Sequence, residues 1–154
     1  MTAEPPQFRF FAELSVSVAQ PIEVGHTPHG QRRLIPIVGG TVRGEGWVGH
    51  VLEAGADFQQ IVNERLTLLD ARYAIETDQA ERIYVHNHAV RSGPPELMAR
   101  LARGEQVDPS EIYFRCFPRL ECAAPRFAWV NERLFFGLGE RQPSQVLMRF
   151  FELL

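Results

Sequence analysis

The chain has 154 residues, 45% of them hydrophobic and 23% charged, with a formal net charge of −3. These proportions fit one globular domain, residues 1–154, able to bury roughly 70% of its unfolded surface without staples. The balance gives no electrostatic ground for a nucleic-acid or membrane partner, and because all sixteen basic residues are arginine, Schiff-base lysine chemistry is excluded.

The opening Met1-Thr2-Ala3-Glu4-Pro5-Pro6 has no basic segment followed by an apolar run, so no signal peptide is expected. No stretch reaches the roughly 20 apolar residues of a membrane helix. Residues 8–18 alternate: Phe8, Phe10, Ala12, Leu14, Val16 and Val18 share one face, with Phe11 the exception. That pattern predicts a half-buried strand. Residues 19–32 hold Pro21, Gly25, Pro28 and Gly30 and read as a loop. Leu34 to Val42 is apolar but broken by Gly39-Gly40, and Gly44, Gly46 and Gly49 continue that signal through a strand near 45–53. Repeated glycines in strands suggest a sheet that bends, as a barrel must.

Further strands are expected at 57–62, 66–76, 82–91, 111–122, 125–131, 133–139 and 145–153, with Asn131-Glu132 as a hairpin turn. Between them, Pro94 to Gly104 has prolines at its start, leucines four apart, late arginines and a closing glycine, which predicts one short helix. Cys116 and Cys122, if on one strand, lie about 20 Å apart at roughly 3.3 Å per residue. They read as reduced thiols, and the compartment expected is the cytoplasm. About nine strands, turn glycines and one inserted helix argue an all-β fold, a single antiparallel β-barrel, which leaves no exposed sheet edge.

The polar residues stand out against this apolar sheet. Gly55-Ala56-Asp57-Phe58-Gln59 is followed by Leu69-Asp70-Ala71-Arg72-Tyr73. Strand alternation puts Asp70 and Arg72 on the face of Leu66 and Leu68, where a charge pair must be paired or wet. Asp57, Asp70, Arg72, Arg91, Tyr113, Arg115, Glu121 and Arg141 are the candidates for chemistry. A carboxylate in a partly dry cavity has its pKa raised toward neutrality, and guanidinium groups hold carboxylates, phenolates and enolates. The bland alternatives are a rim ion pair for Asp70 with Arg72, an outer pair for Arg115 with Glu121, and an ordinary strand aromatic for Tyr113. His86 and His88 would share a strand face, but the sequence names no third ligand, so no metal is expected. No phosphate-binding loop, dinucleotide fingerprint or nucleophile elbow is present, and no cofactor is expected.

The order of the stretches Val24–Gly30, Ile37–Gly44, Gly55–Gln59, Asp70–Tyr73, Tyr113–Arg115 and Trp129–Asn131 resembles the family known as domain of unknown function 3237, over nearly the whole chain. The resemblance implies a lipocalin-like or allene-oxide-cyclase-like barrel and little about function. The chain departs from the family pattern at Ala89, where glycine is expected, at Gln79-Ala80, in place of an Asp-Gly-type turn, and at Cys116, where threonine is commoner.

Three functions compete. The first is a cofactor-independent isomerase, cyclase or lyase acting on a small organic molecule, possible substrates being aromatic or anionic. Asp57 would transfer the proton, Arg72 and Arg115 hold an oxyanion, and Tyr113 donate a hydrogen bond. Asn87, Arg91, Phe127 and Trp129 would contact the ligand. The second is a non-catalytic carrier or sensor barrel for a small molecule. The third is a scaffold whose lumen is filled by its own side chains. A homodimer is the default among oligomers.

Overall fold

A computed structural model describes residues 3–154; the reading of Met1 and Thr2 lies outside them. Ten strands run in chain order: β1 Phe8–Val18, β2 Ile22–Thr27, β3 Gly30–Gly44, β4 Trp47–Val51, β5 Ala56–Asn63, β6 Leu66–Thr77, β7 Arg82–Ser92, β8 Tyr113–Cys122, β9 Phe135–Arg141 and β10 Gln145–Leu153. They form eight staves of a closed antiparallel barrel. Closure comes from β1, which pairs with β10 on one side and β3 on the other. β4 and β5 share one stave, each pairing with β3 and β6 at a different height.

The lumen side of each strand is the apolar side, as alternation requires. On β8 the pattern is complete: Phe114, Cys116, Pro118, Leu120 and Cys122 point in while Tyr113, Arg115 and Phe117 point out. Both cysteines are free and buried. On β1 the sequence pattern misleads at one end. A bulge between Phe10 and Ala12 flips the alternation, so Phe11 turns inward while Phe8 and Phe10 face out. Phe11, the exception to the alternation, is therefore a core residue.

Three expectations about elements fail. Residues 19–32 are not a loop but hold a hairpin, β2 with the start of β3, whose glycines sit at the turn and at a bulge instead of ending pairing. Residues 125–131 are not a strand: Pro125–Glu132 is a 3₁₀ helix begun by the proline. Asn131 is not a hairpin turn either. Its side chain accepts from the Cys122 backbone N–H (3.0 Å) and donates to the Cys122 carbonyl (2.8 Å), tying the segment to β8.

The expected helix is present as α1, Pro95–Ala102, burying Met98 and Leu101. α1 follows β7 and the 3₁₀ helix follows β8, so they close opposite ends of the barrel. At the 3₁₀ end Phe127 joins Phe11, Trp47, Trp129 and Phe135 in an aromatic plug, with ring centroids 5.0–6.5 Å apart. At the other end Arg33 reaches up from β3 and donates to the Ala102 carbonyl (3.2 Å).

Two positions with positive φ bear strain differently. Gly40 has φ +138°, and a Cβ there would lie 2.1 Å from the Ser15 carbonyl oxygen of β1, so only glycine lets the two strands cross so closely. Ala80, in the β6–β7 turn, is held at φ +59° without being glycine. A left-handed L-residue costs about 1–2 kcal/mol. Ala80→Gly is accordingly expected to stabilise the protein by up to about 1 kcal/mol, part of the relief being offset by the extra freedom glycine gives the unfolded chain. For a chain of this size that is roughly 2–4 °C in a thermal melt; an unchanged or lower midpoint would contradict it.

Candidate functional site

The pocket forms because the inward rows of the barrel carry small and polar residues at one level. In β-register order, Ile35, Asp57, Ala71 and Asn87 make one row across β3, β5, β6 and β7. Arg33, Gln59, Leu69 and Ala89 make the next. Arg91 stands one level on, paired in register with Thr67 and Phe114. Ala71 and Ala89 leave the middle of the lumen unfilled. The hollow measures about 530 Å³ to the surrounding atoms, including space open to solvent, and the centre of a water molecule has about 50 Å³ to occupy. That is room for a few waters or one small metabolite. Val16, Val18, Ile37, Phe114, Val146 and Met148 supply apolar walls, and Asp57, Gln59, Asn87, Arg91 and Arg141 the polar ones.

A hydrogen-bond chain organises the polar wall. Arg33 Nε donates to Gln59 Oε1 (2.8 Å), and Gln59 Nε2 donates to Asp57 Oδ2 (2.7 Å). The backbone N–H of Asp70 donates to Asp57 Oδ1 (3.1 Å). Arg33 is fixed from outside by the Ala102 carbonyl and by Glu23 at 3.8 Å. Gln59, 1% exposed, is thus a rigid spacer between a cation and an acid.

Burial dominates the electrostatics. It pushes the Asp57 carboxyl above the ordinary carboxylate range, against the opposing pull of Gln59, Arg91, the Asp70 N–H and Arg33. Asp57 lines the hollow. Burial likewise lowers Arg91 to about 10, with Asp57 opposing and Arg141 and Arg33 adding to the fall, so Arg91 stays cationic at neutral pH. Arg33 and Arg141 are lowered too, first by burial. The Cys116 thiol is raised to about 12 by burial, which removes it as a thiolate nucleophile. Burial also pushes the Tyr73 phenol up.

Among the described residues, two buried side-chain polar atoms have no hydrogen-bond partner: Asn87 Oδ1 and Arg91 Nε. Both side chains line the hollow. An acceptor and a charged donor left open at one cavity are costly unless something else satisfies them.

The structure brings together Asp57, Asn87, Arg91 and Arg141 at the hollow and separates the other expected residues. Arg72 faces outward, its side chain 52% exposed and its Nε 3.6 Å from Asp70 Oδ1. The Asp70–Arg72 pair therefore lies on the outer wall and not in the lumen, because β6 turns its odd-numbered residues inward. Tyr113 and Arg115 also face out, with the Arg115 guanidinium 5.1 Å from the Tyr113 ring. Phe127 and Trp129 belong to the plug and line no part of the hollow. Arg141, a sequence candidate, does line it. Arg33 went unnoticed because it falls between the stretch read as a loop, 19–32, and the apolar run that starts at Leu34; its signal was its neighbour Leu34 and the alternation that continues to Ile37.

Residues 6–153 match the family described as Protein of unknown function (DUF3237), and the chain belongs to that family. A UPF0311 protein of Rhodopseudomonas palustris is 41% identical over 146 residues, 95% of each chain. One of Clostridium acetobutylicum is 36% identical over 141 residues, 91% of this chain and 89% of that one. Among solved structures, a Rhodopseudomonas palustris protein of unknown function superposes with a TM-score of 0.93 at 38% identity, covering 99% of this chain and 100% of that one. A beta-barrel like protein from Acinetobacter baumannii does so with a TM-score of 0.86 at 34% identity, covering 99% of each. An enzyme from Penicillium herquei shares the fold, with a TM-score of 0.74 at 13% identity, covering 100% of this chain and 98% of that one.

Among the described residues no helix is long and apolar enough to cross a membrane.

Proposed function

We propose that this barrel is a cofactor-independent enzyme of the isomerase, cyclase or lyase type, acting on a small organic anion held in the lumen. The observation that carries the reading is the pair of unpartnered atoms, Arg91 Nε and Asn87 Oδ1, at a cavity that also holds an acid. Arg91 and Arg141 against one aspartate, with Arg33 balanced by Glu23, leave the cavity with surplus positive charge, which suits a carboxylate or a developing enolate. Asp57 is the proton-transfer group, since a carboxyl raised above the ordinary carboxylate range keeps a proton it can give as well as take. Arg91 and Arg141 replace Arg72 and Arg115 as the oxyanion-holding pair. The acceptor Asn87 Oδ1 orients a substrate hydroxyl or N–H. The apolar walls fit an aromatic or aliphatic body. The Penicillium herquei protein supports the reading in that the same architecture serves an enzyme there.

The alternative, a non-catalytic carrier, shares the pocket but has no use for a strained acid beside it. Calorimetric titration separates an anion site from a merely apolar one. Benzoate is expected to bind one to one and benzamide, its neutral counterpart, at least about tenfold more weakly, the value of one charge-assisted hydrogen bond. Equal affinities would contradict the anionic class. Binding without proton exchange on an enolisable anion would favour the carrier.

A further inference from the structure

We propose that Asp70, His86 and His88 form a divalent transition-metal site on the outer wall of the barrel, separate from the lumen. β7 turns both histidines to the outside, two residues apart, and β6 sets Asp70 directly opposite His88 in register. His86 Nε2 lies 2.8 Å from Asp70 Oδ1, and the two imidazole rings are 4.3 Å apart. One ligand atom from each of the three lies within 4.8 Å of the others. A tetrahedral ion at about 2.0–2.1 Å from each ligand needs ligand atoms about 3.3 Å apart. Side-chain rotation of an ångström or so closes the set without moving the strands.

Two imidazoles and one carboxylate select zinc, nickel, cobalt or copper over calcium or magnesium, which take oxygen ligands. Three protein ligands leave a coordination position for solvent or an outside ligand. The metal takes the place of the hydrogen bond between His86 Nε2 and Asp70 Oδ1, the imidazole then carrying its N–H on Nδ1. Two guanidinium groups face the cluster: Arg72, near Asp70, and Arg119, opposite His86 on β8. Arg72 is half exposed, so its side chain can swing into water when the ion arrives. Beside His88 runs an apolar groove lined by Leu68, Val90, Tyr113 and Phe117. Tyr113 and Arg115, misplaced by the catalytic expectation, belong to that groove.

The test is titration of chelator-treated full-length protein with zinc at pH 7.5, followed by calorimetry, with cobalt(II) substitution read by visible absorption. One ion per chain and a tetrahedral cobalt spectrum are expected. His88→Ala and His86→Ala should each weaken binding by about tenfold or more and abolish that spectrum. Both variants should keep the wild-type melting temperature in the metal-free state and the wild-type affinity for benzoate. No binding up to millimolar zinc, or stoichiometric binding unaffected by either substitution, overturns the proposal. Failure here leaves the lumen reading standing, because benzoate binding is measured independently in the same proteins.

Discussion

Arg91→Met is expected to weaken benzoate binding by about 10- to 150-fold, the worth of a buried hydrogen bond to a charged group at roughly 1.5–3 kcal/mol. The guanidinium is 3% exposed, has an open Nε and lines the hollow. Methionine keeps the length and the apolar stem beside Phe114, over whose ring the guanidinium carbon sits at 5.5 Å. The fold should survive for an electrostatic reason. Arg91 pulls Asp57 toward ionisation, so without it burial drives the carboxyl further toward its neutral form, which needs no counter-charge. Arg72→Met is the matched control: an exposed outer-wall arginine whose loss should leave benzoate affinity unchanged. If Arg72→Met weakened binding as much as Arg91→Met, the ligand would not be in the lumen.

Asp57→Asn is expected to separate activity from stability. With phenylpyruvate in D₂O as an enolisable probe, exchange at the methylene carbon should fall by about 10²–10⁴-fold, the usual worth of a positioned acid–base group. Stability moves differently. A carboxyl whose pKa rises on folding holds its proton more tightly folded than unfolded. Its stabilising contribution is complete below the unfolded value of 3.8 and is lost as pH climbs from there toward the folded value. The wild type should therefore lose stability relative to Asp57→Asn as pH rises from about 4 toward neutrality, by at most about 1.4 kcal/mol per pH unit. Asparagine also forfeits one hydrogen bond, because its amide nitrogen cannot accept from Gln59 or the Asp70 N–H. That cost, about 1 kcal/mol, is the same at every pH. Urea unfolding of both proteins across this range reads the difference; a pH-independent gap would mean that Asp57 is ionised and unstrained in the folded state.

What the sequence disclosed and what it hid both follow from strand parity. The alternation of β8 and β10, the proline-led helix and the glycine-broken third strand are local signals, and they sufficed for an antiparallel barrel. Asp57, Asn87, Arg91 and Arg141 were found because polar residues on apolar strands are rare enough to notice. The parity of β6 was misread because Leu68 and Leu69 are adjacent and only one can face the core. The buried set Leu69, Tyr73 and Ile75 decides the matter, and it turns Asp70 and Arg72 outward. Phe127 and Trp129 misled because 3₁₀ turns begun by proline carry aromatic spacing that imitates a strand. The third member of the Asp70, His86 and His88 cluster was hidden for another reason: register between β6 and β7 is a long-range fact, and no spacing within either strand contains it.

The central claim is that the anion site lies inside the cylinder, at Arg91 beside Asp57. The arginine Nε–H resonances of ¹⁵N-labelled protein, followed during benzoate addition, test it most directly. The account predicts a saturable shift of the Arg91 Nε–H signal, absent with benzamide, while Arg72 and Arg115 stay in place. An unmoved Arg91 with shifting Arg72 or Arg115 signals would contradict it.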